Sequence, residues 1–154
     1  GKNTLISPLS VLYALAMTAN GADGNTLAQM EQVLGMETEE LNSFMRAYLD
    51  PLPESKVYKL SLANSIWFKD DPRFQVEQSF LQTNADYYGA DAYKAAFDEA
   101  TRNDINNWVK EHTDGMIPEI LDEIPEDAVM YLVNALAFDA EWQEIYEAHQ
   151  VWEG

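Results

Sequence analysis

Proton transfer near neutral pH has two candidate carriers in this chain, His112 and His149. His112 shares a helical stripe with Ile105, Trp108 and Val109, which favours a packed histidine over a base held toward a substrate. His149 stands among acids near the C-terminus and reads as solvated. Cysteine is absent, so thiol nucleophiles, disulfides, Cys-ligated zinc and iron–sulfur centres are excluded. The acids are abundant but unpatterned. Asp70-Asp71 and Glu126-Asp127 are adjacent pairs in turns, and no Asp-x-Asp-x-Asp-Gly calcium loop occurs. Neither a Gly-x-Ser-x-Gly elbow nor a Walker-type run is present, and Gly21 and Gly24 lack the third glycine of a dinucleotide fingerprint. Nothing selects two of the 27 carboxylates as a glycosidase pair. A small acidic hydrolase is kept only as a rival reading, and no cofactor or metal is expected.

Four neutral polar residues stand out instead. Ser7, Ser10, Asn64 and Asn134 sit beside apolar neighbours, and a buried polar group without a partner costs about 1–3 kcal/mol. Two readings are open. Locally, Ser7 caps a helix while Asn64 and Asn134 tie strands to loops, which periodicity alone favours. Functionally, the four form a polar hinge beneath a sheet that has to open.

The elements that would position them follow from spacing. Ser7-Pro8 starts a helix, since proline at the first helical position lacks only an N–H that has no partner there. Leu9 to Ala19 is apolar nearly all round, which predicts a buried helix. A second helix is predicted from Thr26, with Gln29 completing a capping box and Gly35 ending it. A third starts at Thr38 and carries Leu41, Phe44, Met45, Tyr48 and Leu49. Val57 to Lys69 alternates as a strand, with Tyr58, Leu60, Leu62, Asn64, Ile66 and Phe68 on one face. A helix through Val76, Phe80, Thr83 and Tyr87 ends at Gly89, and a short strand is predicted near Ala90 to Phe97. Thr101 caps a further helix, Met116 to Ile124 is an amphipathic stretch interrupted by Pro118, and Val129 to Phe138 is apolar on both faces, as a strand covered on both sides would be.

Net charge narrows the partners. Nine Lys and Arg against 27 Asp and Glu leave −18, and 12 acids but no Lys or Arg follow Lys110. Such a field repels nucleic-acid backbones and anionic lipid. No apolar run reaches the roughly 18 residues of a membrane span. With 154 residues, no internal repeat and no Gly/Ser linker, the chain reads as one domain or part of one. It begins at Gly1 with neither an initiator Met nor a signal-peptide pattern, which reads as a piece of something larger.

The segments, in order, resemble the N-terminal part of a serpin, the serine-protease-inhibitor family. Asn3-Thr4-Leu5-Ile6-Ser7-Pro8-Leu9-Ser10-Val11 resembles strand 6B running into helix B, and Asn20-Gly21-Ala22-Asp23-Gly24-Asn25-Thr26 the turn before helix C. Leu62-Ala63-Asn64-Ser65-Ile66-Trp67-Phe68 resembles strand 2A. Ile105-Asn106-Asn107-Trp108-Val109, with Thr113, Gly115 and Ile117, resembles helix F and its exit. Leu132-Val133-Asn134-Ala135-Leu136-Ala137-Phe138, followed by Trp142, resembles strand 3A. Asp139 departs from a basic residue common in the family, and Tyr146 from a phenylalanine.

The resemblance implies an α+β fold: helices on a partial sheet A with strands like 2A, 1A and 3A, residues 1–154 forming an incomplete domain from helix B to just beyond 3A. It implies a parent that inhibits serine proteases as a suicide substrate, its cleaved reactive loop entering sheet A as a new strand. The acceptor would be the edge formed by Val129, Met130, Tyr131, Leu132, Val133, Asn134, Ala135, Leu136, Ala137 and Phe138. Ser7, Ser10 and Asn134 fall on the shutter, the family's hinge beneath the opening sheet, which moves weight to the hinge reading. Helix A, strands 5A and 6A and the reactive loop would lie outside this chain, leaving no reactive bond here and no inhibition by this piece alone. The piece would pair with its missing C-terminal half or with itself through the 3A edge. A non-inhibitory parent acting as a binding or carrier protein is the alternative, and an extracellular location is the family's commoner case.

Overall fold

The computed structural model describes residues 6–49 and 57–141. Among them the elements run α1 (Pro8–Ala19), α2 (Gly24–Leu34), α3 (Thr38–Leu49), β1 (Tyr58–Lys69), α4 (Gln78–Tyr88), β2 (Asp91–Ala95), α5 (Glu99–His112) and β3 (Met130–Ala140). The three strands form a mixed sheet in the order β2-β1-β3. β1 runs parallel to β2 and antiparallel to β3, with Asn64 directly opposite Asn134. Five helices on a partial sheet give the expected α+β class.

The period of two along β1 divides the core. Its even residues face α1, α3 and α4: Ile66 is buried with Tyr13, Met17, Leu41, Met45 and Tyr88, while Leu62, Phe68, Met130 and Leu132 pack around them. Its odd residues face α5, where Trp67 is buried with Ile105, Trp108, Val109, Val133 and Ala135. Each large side chain fully removed from water contributes about 1.5–3 kcal/mol, so both layers hold the sheet. β3, covered on both sides, is apolar on both faces, while β1 alternates except at Asn64 on one face and Trp67 on the other.

Helix ends follow local chemistry, with two corrections. Ser7 caps α1 as expected, its hydroxyl accepting from Ser10 N–H at 3.2 Å. Gly35 and Gly89 end α2 and α4 at φ of 76° and 59°, left-handed backbone that glycine adopts without a Cβ clash. The cap of α2 is Asp23, not Thr26: its carboxylate accepts from Gly24 N–H at 2.8 Å, so the helix starts two residues earlier. The cap of α5 is Asp98, not Thr101. Asp98 accepts the Thr101 N–H at 3.0 Å while the Thr101 hydroxyl accepts the Phe97 N–H at 3.1 Å, a reciprocal pair that buries the threonine. Phe97 takes a left-handed φ of 62° at this corner, held by that bond and by stacking on Tyr131 at 5.7 Å.

One further expectation changes. α1 buries Tyr13, Ala16, Met17 and Ala19, but Val11 is 50% and Leu15 41% exposed. Among the described residues only one side of α1 meets the sheet and its neighbouring helices. Residues 116–124 contain no helix. Asn106 of α5 takes the place of helical bonding there, its Oδ1 accepting from Ile120 and Leu121 N–H at 2.9 and 3.0 Å and its Nδ2 donating to Leu121 C=O at 2.8 Å.

Candidate functional site

The polar residues singled out in the sequence meet where α1 passes beneath β3. Ser10 Oγ donates to Asn134 Oδ1, and Asn134 Nδ2 donates to Asn64 Oδ1 at 2.8 Å across the β1–β3 pair. Asn64, only 1% exposed, donates in turn to the Tyr88 carbonyl at 2.7 Å. Ser7 enters through its cap bond to the Ser10 amide. The local reading is therefore incomplete: Ser7 is a cap, but Asn64 and Asn134 join strand to strand and strand to helix. Each such bond has a small net worth of about 0.5–1.5 kcal/mol, whereas a partner left unsatisfied costs about 1–3 kcal/mol.

The thread continues through residues that sequence reasoning missed. The Tyr88 hydroxyl donates to Asn42 Oδ1 at 2.6 Å. Asn42 and Asn20 exchange amide bonds at 2.8 and 3.1 Å, and Asn20 also donates to Asn84 Oδ1 at 3.1 Å. Asn84 closes the series on the Phe80 carbonyl at 3.0 Å. Burial pushes the Tyr88 phenol well above its ordinary pKa, so it remains a proton donor to Asn42 at any physiological pH. The one signal of this network in the sequence was Asn84, whose helix neighbours three and four residues away are Phe80, Leu81, Tyr87 and Tyr88.

β3 is an edge strand among the described residues. Lys69 N–H donates to Val129 C=O at 2.9 Å and Glu141 N–H to Val57 C=O at 2.8 Å, which sets the parity of the ladder. Facing residues in an antiparallel pair alternate between bonded and non-bonded, so odd residues of β3 bond to β1. Met130, Leu132, Asn134, Leu136 and Phe138 then turn their N–H and C=O groups to the open edge. The Asn134 side chain sits at the midpoint of that edge, on the α1 side. The whole of the expected acceptor segment except Val129 lies in β3, and Val129 is its immediate lead-in.

Among the described residues the rival chemistry finds no assembly. His112 Nδ1 lies 2.7 Å from the Trp108 carbonyl, which can only accept, so this nitrogen carries the proton and donates. The imidazole also stacks on the Trp108 ring at 4.1 Å. His149, Trp142 and Tyr146 lie outside the described residues. Asp71 is held far below the usual carboxylate range by the Arg73 guanidinium, an exposed local pair. Among the described residues no group of three or more side chains could hold a metal ion.

Comparison with known proteins gives a consistent picture. The family model for Serpin (serine protease inhibitor) matches residues 1–153. Leukocyte elastase inhibitor from Equus caballus is 38% identical over 149 residues, covering 92% of this chain and 39% of the relative. A solved loop C-sheet serpin polymer superposes with a TM-score of 0.91 at 56% identity, covering 96% of this chain and 40% of that one. The thermophilic serpin tengpin in its latent state gives 0.90 at 56% identity, with coverage of 96% and 41%. The chain thus spans about two fifths of the length of the relatives it matches.

Proposed function

The chain belongs to the serpin family, and we propose that it forms the receiving half of sheet A in a parent that inhibits a serine protease by inserting its cleaved loop beside β3. The observation that carries this reading is the hydrogen-bonded thread from Ser10 through Asn134 to Asn64 directly under the open edge of β3. An added strand bonds to the outward amides of Met130, Leu132, Asn134, Leu136 and Phe138. The polar thread lets the edge shift while its partners exchange, because hydrogen bonds can be re-formed with water or with the newcomer at small net cost. The hinge role of Ser7, Ser10 and Asn134 is part of this proposal. Leukocyte elastase inhibitor, by its name, acts on an elastase; an enzyme of that class is the natural first target to try.

The reactive bond is supplied by the remainder of the parent, and this chain contributes the acceptor. Through the same edge it pairs with its missing C-terminal half. Edge-to-edge pairing of two copies meets an obstacle: strands pair about 4.8 Å apart, whereas helices pack 8–10 Å apart. With α1 beneath β3, two such sheets would drive α1 against its copy, so a lone strand fits better than a second sheet.

The test is reconstitution of this chain with the remainder of its parent, followed by incubation with a leukocyte elastase. An inhibitory parent yields a covalent complex that survives denaturing gel electrophoresis. Cleavage of the loop with no such complex would overturn the inhibitory reading and favour the binding or carrier alternative.

A further inference from the structure

Between the end of α1, α2, the first turns of α3 and α4 lies a groove of about 570 Å³, lined in part by Asn20, Thr38, Glu39, Asn42, Ser43 and Tyr87. Two of its hydroxyls have their protons engaged inside the protein. Thr38 Oγ1 donates to Glu31 at 2.9 Å and Ser43 Oγ to the Glu39 carbonyl at 3.1 Å. Toward the groove these oxygens offer lone pairs only. Glu39 is an exposed residue of the first turn of α3, and Tyr87 is 37% exposed. Among the described residues no lysine or arginine lines the groove. Acceptors, a carboxylate and a ring face together match a ligand rich in N–H donors and positive charge. The net charge of −18 raises the local concentration of such a ligand.

The floor of the groove gives its occupation a consequence. Asn42 is 5% exposed, lines the groove and accepts the Tyr88 hydroxyl, while the Tyr88 carbonyl accepts from Asn64, which faces Asn134 across the seam between β1 and β3. One hydrogen-bonded series therefore joins the groove to the β1–β3 pair. We propose that the groove binds a small organic cation of the guanidinium or amine class, and that its occupation steadies Asn42 and, through Tyr88 and Asn64, holds the seam closed. The binding stands by itself; the coupling rests on the hinge reading above. A ligand that fixes the first turns of α3 favours the state in which Asn42 is in place, and can bias the seam only to the extent that it distinguishes that state.

The experiment is calorimetric titration of agmatine into the full chain, with amide exchange followed by NMR. Saturable binding is expected, weakened by salt and reduced about tenfold in Glu39→Gln, the loss of one hydrogen bond to a charged group. Glu40→Gln, on the same turn but outside the groove, makes the same charge change and leaves the affinity within about twofold. An arginine-containing peptide that binds where agmatine does not assigns the same chemistry to a partner's side chain and supports the groove. Absence of saturable binding by either probe, or equal affinity in Glu39→Gln, overturns the site. With agmatine bound, exchange of the Val133 and Ala135 amides should slow several-fold. If Ser10→Ala accelerates that exchange while agmatine leaves it unchanged, the hinge reading stands and the coupling fails. If neither moves it, the hinge reading falls as well.

Discussion

β1 presents opposite chemistries to its two sides. Toward α5 it offers Trp67, 5% exposed and stacked on Tyr93 at 4.2 Å, in a layer of aromatic and branched side chains. Toward α1 and α4 it offers Asn64 at the centre of a hydrogen-bonded thread. Both layers are buried, but they respond differently to separation. Parting an apolar contact exposes surface to water with no compensation, whereas a hydrogen bond that parts can be remade with another donor or acceptor. On the hinge reading proposed above, the α5 layer stays shut while the thread yields locally.

The widest gap between the two layers should show in large-to-small substitutions. Trp67→Ala is expected to cost about 3–5 kcal/mol, because it removes the ring and leaves a cavity between β1, β2 and α5. Asn64→Ala is expected to cost about 1–3 kcal/mol, since it strands the Tyr88 carbonyl and the Asn134 amide. Urea melts of the two variants check the order. An Asn64 variant as costly as the Trp67 variant would make the thread a structural keystone and erase the distinction drawn here. A double-mutant cycle on Asn64 and Asn134 should return a coupling of about 0.5–3 kcal/mol.

The open edge sharpens the comparison at backbone level. Leu136 turns its N–H outward, so Leu136→Pro should fold, as proline is tolerated on an edge strand whose N–H faces away from the ladder. Ala135 bonds to β1, so Ala135→Pro should abolish the cooperative melt. Circular dichroism melts separate the two. In the unmodified chain, exchange should alternate along β3, fast at Leu132, Asn134 and Leu136 and slow at Val133 and Ala135. Uniform protection would mean that the edge is covered.

Much of this arrangement was legible in the sequence, and what was not has a physical reason. The alternation of Val57 to Lys69 and the apolar run from Val129 to Phe138 located β1 and β3, because a period of two is local. Gly35 and Gly89 marked helix ends for the same reason. The thread is not local: Ser10 and Asn134 are 124 residues apart and Asn64 and Asn134 are 70 apart. Ser7, Ser10, Asn64 and Asn134 were picked out by standing beside apolar neighbours, and likeness to a family then moved Ser7, Ser10 and Asn134 toward the hinge reading. Asn20 and Asn42 carried no such mark, since an asparagine near a helix end reads as a solvated or capping residue, while Asn84 lay mid-helix among Phe80, Leu81, Tyr87 and Tyr88. The path of residues 116–124 was not legible for a related reason. Ile117, Leu121 and Ile124 do pack on the α5 layer, but as an irregular strap held by Asn106, whose partners lie 14 and 15 residues away.

The smallest expected effect concerns how the α5 layer is anchored. Asp98 caps α5, and the Thr101 amide holds its carboxyl below the usual carboxylate range. The folded pKa lies under the unfolded value of about 3.9, so the cap contributes fully above that pH. Its contribution fades as pH falls through the lower, folded value. The seam has no such dependence, because Ser7, Ser10, Asn64 and Asn134 do not ionise and the buried Tyr88 phenol is pushed upward, far from acid pH. Asp98→Asn keeps an acceptor oxygen at the cap but removes the titration. Between pH 4 and lower values, the unmodified chain should therefore lose slightly more stability than Asp98→Asn. Exchange at Ile105 and Val109 of α5 should report that difference, while exchange at Val133 and Ala135 should change equally in both proteins. A difference that appears first at Val133 and Ala135 would mean that the two layers are energetically one, with the cap of α5 reaching the seam through the sheet.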